Sequence, residues 1–138
     1  ERSDPSLTIQ MKSYNMAMLN LNSIMIGTAN PKVLGEFYAK VFARPADMQD
    51  VGGYSWQSGS TYLNLLEHSE VKGQSKEPAR ILFNFETENV KEEFERLRGL
   101  GATVIQEPYE MQGMRIATLA DPDGNYFQLM SPWKNDKS

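Results

Sequence analysis

An α+β fold in two related modules, with strands forming a curved mixed sheet around a concave cavity, is what this 138-residue chain predicts. Three observations carry the expectation. Each half reads strand, helix, then mostly strands. Two asparagines, Asn30 and Asn89, stand 59 positions apart at the starts of the two helical patterns. Near the end, Asp121-Pro122-Asp123-Gly124 supplies a tight turn between two strand patterns. Few residues are identical between the halves, so the duplication rests on architecture.

Taken in order, Glu1–Gln10 is polar and without period, and is expected to be a flexible leader within an N-terminal extension spanning 1–18. A single domain is expected over 19–134, with modules at about 19–70 and 79–134 and a tail at 135–138. Leu19–Thr28 has enough apolar residues for a first strand. Asn30 is placed to cap a helix and Pro31 to begin it, and Val33, Leu34, Phe37, Tyr38 and Val41 return at spacings of three and four, so a helix is expected over Pro31–Phe42. Pro45 lies beyond its end.

Gly52-Gly53 precedes the strand pattern Tyr54, Ser55, Trp56, Gln57. Ser58-Gly59-Ser60 turns the chain, and Thr61–Leu66 returns as a strand. Glu67–Pro78 reads as an exposed connector. Arg80–Glu86 alternates, with Ile81, Phe83 and Phe85 on one face. Asn89 and Glu92 have the spacing of a capping box, Val90, Phe94, Leu97 and Leu100 mark the buried side of a second helix, and Gly101 is placed to end it. A short strand is expected over Ala102–Gln106, broken at Glu107 and Pro108. The last hairpin joins Met114–Leu119 to Asn125–Met130; in its second arm Tyr126, Gln128 and Met130 share one face, and Phe127 and Leu129 the other.

Composition narrows the function. Eighteen acidic against fourteen basic residues, a net charge of -4, give no electrostatic basis for a nucleic-acid partner. The absence of cysteine removes disulfides, thiolate metal sites and a cysteine nucleophile. No apolar run is long enough to span a membrane and no signal-peptide pattern is visible, so a cytoplasmic location is expected. No phosphate-binding loop, nucleophile elbow or zinc-spaced cluster occurs. His68, the single histidine, lies in the polar connector and reads as an exposed rim residue. Asp121 and Asp123 read as turn residues rather than as an acid and base pair.

Three segments in this order, Asn30-Pro-x-x-x-x-x-Phe-Tyr38, Leu97-x-x-x-Gly-Ala102 and Asp121-Pro-Asp-Gly-Asn125, give the chain a resemblance to the glyoxalase, bleomycin-resistance and extradiol-dioxygenase superfamily, the vicinal oxygen chelate proteins. It runs from about Leu19 to Trp133. The resemblance implies a pair of βαβββ modules and a homodimer with cavities shared between subunits. In metal-dependent members His, Glu or Gln side chains from both modules hold a divalent ion. The matching positions here are Ser23, Asn64, Leu82 and Gln128. Leucine cannot ligate, and serine and asparagine are weak neutral ligands, so no metal and no cofactor are expected.

The expected function is metal-free binding or sequestration of a small, partly apolar molecule, with no catalytic residue assigned. Its candidate ligand-binding residues are Ser23, Tyr54, Trp56, Tyr62, Asn64, Leu82, Asn84, Tyr126 and Gln128. Aromatic Tyr54, Trp56, Tyr62 and Tyr126 could stack on a planar ligand, although core or interface packing is the simpler account of any single one. Ser23, Asn64, Asn84 and Gln128 are polar residues facing the sheet interior, where they need a ligand, water or one another as partner. Two alternatives stay open: a metal-dependent glyoxalase-like lyase, isomerase or dioxygenase using an atypical site with Gln128, and a structural or regulatory interaction protein.

Overall fold

The computed structural model describes residues 19–133; the expected extension at 1–18 and tail at 135–138 lie outside them. The first module comprises β1 (Ser23–Thr28), α1 (Pro31–Phe42), β2 (Met48–Asp50), β3 (Gly53–Ser58) and β4 (Thr61–Glu67). The second comprises β5 (Phe83–Glu86), α2 (Val90–Gly99), β6 (Thr103–Met111), β7 (Met114–Ala120) and β8 (Tyr126–Met130). A short 3-10 turn at Pro78–Arg80 precedes it. Two βαβββ modules are therefore present, and their strands hydrogen-bond as two four-stranded sheets, ordered β1-β4-β3-β2 and β5-β8-β7-β6. In each, the first and last strands run parallel and the rest antiparallel.

Helix α1 occupies the expected residues, and the Asn30 side chain accepts from Val33 N at 3.3 Å. The second cap differs: the Asn89 side chain makes no cap bond, and its backbone N–H donates to Thr87 Oγ1 instead. Val90, Phe94 and Leu97 are buried as expected, but Leu100 is exposed, because it follows the helix end just before Gly101 turns the chain at φ 101. The second half of β6 and the short strand β2 are absent from the sequence reading. Both are outer strands of their sheets. An outer strand needs no donor on its free side, and register shifts fall between Val104 and Gln106 and between Gln106 and Tyr109, so Pro108 is accommodated inside a nine-residue strand.

The modules share one interior. Ile26, Leu34, Tyr38, Trp56, Leu63 and Leu65 form the first cluster; Val90, Phe94, Leu97, Ala117, Leu119, Phe127 and Leu129 dominate the second. Phe37, Val41, Phe83 and Phe85 pack against both. Phe37 meets Phe127 edge-on at 6.0 Å, and Phe42 meets Phe85 at 5.6 Å. Arg96 of α2 donates to the carbonyls of Lys40 and Val41, satisfying the end of α1 from the other module.

Candidate functional site

Strand alternation sends Leu63, Leu65, Phe127 and Leu129 toward the helices, so Asn64 and Gln128 stand on the opposite, open faces of their sheets. The two occupy equivalent places. Met25 pairs with Asn64, which pairs with Ser55; Asn84 pairs with Gln128, which pairs with Thr118. Ser55 Oγ donates to Asn64 Oδ1 at 2.6 Å, and Gln128 Nε2 donates to Thr118 Oγ1 at 3.1 Å. Each module thus repeats a hydroxyl–amide pair across neighbouring strands. The hydroxyl partners Ser55 and Thr118 were not singled out from sequence, although period-two alternation from the turns would have reached them.

These pairs stay within their own sheets. A groove of about 480 Å³ on the open face of the first sheet is lined by Met48, Asp50, Gly53, Ser55, Asn64 and Leu66, and Gln128 takes no part in it. A second groove, of about 580 Å³, lies at the seam between modules. Leu21, Ile24, Tyr62 and Leu63 form its first wall, and Leu82, Phe83, Asn84 and Phe85 its second. Strands β1 and β5 each end their sheet, so among the described residues the seam lies beside two strand edges with no further strand paired to them. Tyr62, Leu82 and Asn84 are brought together here. A third cavity, about 490 Å³, lies on the helical side beside Phe42, Phe85, Glu93 and Arg96.

The structure places the remaining candidates elsewhere. Trp56 is fully buried on the helix-facing side of β3, stacks on Phe42 at 5.4 Å, and donates from Nε1 to Arg44 O. Tyr54 stacks on Trp56 at 6.2 Å and presses on Gly35, where an added Cβ would sit 2.7 Å from its ring. Packing accounts for Trp56, which corrects its expected place on a ligand surface; Tyr54 is half-buried and also lines the open-face groove beside Asn64. The side they face is decided by where α1 docks. Ser23 and Tyr126 are half-buried at opposite sheets, at the start of β1 and of β8. His68 is exposed and its Nδ1 accepts from Glu70 N.

The Asp-Pro-Asp-Gly-Asn turn does more than reverse the chain. Gly124 N donates to Asp121 O, with Gly124 at φ 81. The Asp121 carboxylate accepts from the N–H groups of Asp123 and Asn125, from the Asn125 amide and from Tyr38 Oη of α1. Thr28 Oγ1 of β1 donates to Asp123 Oδ2 at 2.6 Å. Burial lifts the Asp121 carboxyl above its ordinary value, opposed by bonds from Asn125, Tyr38 and Asp123. Burial first, and then the adjacent Asp121 charge, push the Tyr38 hydroxyl well above 10.0. Such a locked, fully occupied carboxylate has no free lone pair directed at a ligand; it fastens one module to the other. The connector is fixed to the same turn, through Gln74 Nε2 to Pro122 O and Ser75 N to Asp123 O.

The residues at the superfamily's metal positions do not fit a divalent ion. Ser23, Asn64, Leu82 and Gln128 offer no carboxylate or imidazole, and among the described residues no group of three His, Cys, Asp or Glu is arranged to hold one. No helix among these residues is long and apolar enough to cross a membrane.

Paired βαβββ modules around a common helical interior, with open sheet faces and a seam groove, define the glyoxalase and bleomycin-resistance class of fold. The chain belongs to the glyoxalase-like domain family, whose sequence model matches residues 23–130. Among solved structures, a glyoxalase-related enzyme from Fulvimarina pelagi superposes with a TM-score of 0.70 at 15% identity, over 83% of this chain and 89% of the other. A glyoxalase/bleomycin resistance protein/dioxygenase family enzyme from Burkholderia phytofirmans PsJN gives 0.68 at 23% identity, over 82% and 98%. TioX from Micromonospora sp. ML1 gives 0.62 at 15% identity, over 82% and 98%. These likenesses establish the fold. No curated protein sequence matches the chain.

Proposed function

We propose that this protein binds a small, partly apolar molecule in the seam groove, without a metal, and acts by holding it rather than transforming it. The observation that carries the reading is the meeting of Tyr62, Leu82 and Asn84 in a groove of about 580 Å³, a size suited to a small ligand. Leu21 and Ile81 at its rim are 68% and 69% exposed, so a ligand covering them removes apolar surface from water at about 25 cal/mol per Å². The neutral residues at the superfamily's metal positions favour binding over metal-assisted lyase, isomerase or dioxygenase chemistry. A homodimer in the cytoplasm completes the proposal, with Met25, Met48 and Leu66 on the open face of the first sheet as apolar surface for a second copy to cover.

Amide chemical-shift mapping of the full chain with 4-phenylphenol tests the groove. Shifts centred on Tyr62, Leu82 and Asn84 are expected. Their absence at saturating probe, or shifts confined to the Met48 and Asn64 groove, would overturn the placement.

A further inference from the structure

We infer that the seam groove selects an uncharged ligand: a largely apolar molecule with one or two neutral hydrogen-bonding groups, such as hydroxyl, ketone or amide, and neither a carboxylate, a phosphate nor an ammonium. The inference rests on the binding reading above and deepens it.

What separates this groove from the open-face groove and the helical-side cavity is its charge. The open-face groove carries Asp50, and the helical-side cavity carries Glu86, Glu93 and Arg96. Among the described residues the seam groove is lined by Leu21, Ile24, Leu63, Ile81, Leu82, Phe83 and Phe85 together with Ser58, Thr61, Tyr62 and Asn84, with no Asp, Glu, Lys, Arg or His among them. Arg80, next in sequence to the rim residue Ile81, is bonded to Glu77 at 2.9 Å. In a chain with 18 acidic residues and 14 Lys or Arg, a lining that holds none of them among the described residues is a chemical specification.

An ion entering such a groove gives up hydration and meets no counter-charge, whereas an apolar body gives up little. The polar groups available are hydroxyls and one amide, which donate and accept with uncharged partners. Asn84 offers both functions in one side chain, and Tyr62 one hydroxyl that can do either. The edges of β1 and β5, unpaired among the described residues, add backbone N–H and C=O groups of the same neutral kind.

Three probes of one shape separate the terms: 4-phenylphenol, biphenyl-4-carboxylate and 4-phenylbenzylamine, titrated at pH 7 against the full chain with amide shifts as readout. The neutral phenol is expected to bind at least tenfold more tightly than either ion, equivalent to about 1.4 kcal/mol. Leu82→Lys, at an exposed position on the groove wall, is expected to reverse the order in favour of the carboxylate, with amide shifts far from the groove unchanged as the check on the fold. An ion binding as tightly as the phenol, with the same Tyr62 and Asn84 shifts, overturns the selection for neutral ligands and leaves the binding reading standing. Absence of groove shifts with all three probes overturns both.

Discussion

The hydroxyl of Tyr38 donates to Asp121 Oδ2 at 2.8 Å, joining α1 of the first module to the last hairpin of the second, and both side chains are buried. With Thr28 bonded to Asp123, the two aspartates of one turn each hold a different element of the opposite module. A sequence feature that reads as local turn chemistry is also the polar fastening between halves, and the seam groove depends on how those halves are held.

Removing the phenol hydroxyl tests the fastening. Tyr38→Phe is expected to cost about 1.5–3 kcal/mol, the range for a hydrogen bond to a charged partner. Asp121→Ala costs more, because it strands Tyr38 and the N–H groups of Asp123 and Asn125 together. Urea unfolding of both single variants and the double variant measures the coupling; additive losses would show that the two side chains act independently.

Alkaline pH weakens the same contact. The Tyr38 hydroxyl is raised in the folded state, so its contribution is complete below the ordinary tyrosine value of 10.0 and is lost as pH climbs toward the higher folded value. Asp121, also raised, contributes fully below 3.8 and progressively less as pH rises through its folded value. The stability gap between the wild type and Tyr38→Phe should therefore shrink above about pH 10. A gap constant from pH 8 to 11 would contradict the assignment.

Chelation should leave the fold untouched. Ser23, Asn64, Leu82 and Gln128 provide no strong donor set, so dialysis against EDTA, or a tenfold excess of zinc, nickel or manganese, is expected to leave Tm unchanged. A metal that binds only the folded state raises Tm by mass action, and a saturable rise would reveal ligands that the geometry does not contain.

Trp56 and Tyr54 should behave as core. Trp56→Ala is expected to lose about 3–5 kcal/mol, as large-to-small changes in a packed interior do. Gly35→Ala gains helix propensity of about 1 kcal/mol, but its methyl would sit 2.7 Å from the Tyr54 ring and force that ring to move, so a net loss is expected. Calorimetry checks both. A stable Gly35→Ala protein with unchanged Tm would mean that Tyr54 moves aside freely.

Sequence by itself determined the parts whose cause is local. The i, i+3, i+4 return of Leu34, Phe37, Tyr38 and Val41 and the Asn30-Pro31 start place α1 at its observed residues, and the turn residues before Tyr126 set the alternation that separates Gln128 from Phe127 and Leu129. Order and spacing of the three short motifs indicated the family. What only the tertiary structure decided is which face of each strand becomes interior. Alternation shows that Tyr54 and Trp56 share a side, yet it is the docking of α1 that makes that side core and leaves Ser55 and Asn64 on the open one. Strand β2 and the full length of β6 escaped detection because outer strands tolerate weak patterns and a proline. The groove joining Tyr62 to Leu82 and Asn84, and the bond from Tyr38 to Asp121, link residues far apart in the chain: each exists because the two modules pack together on shared phenylalanines.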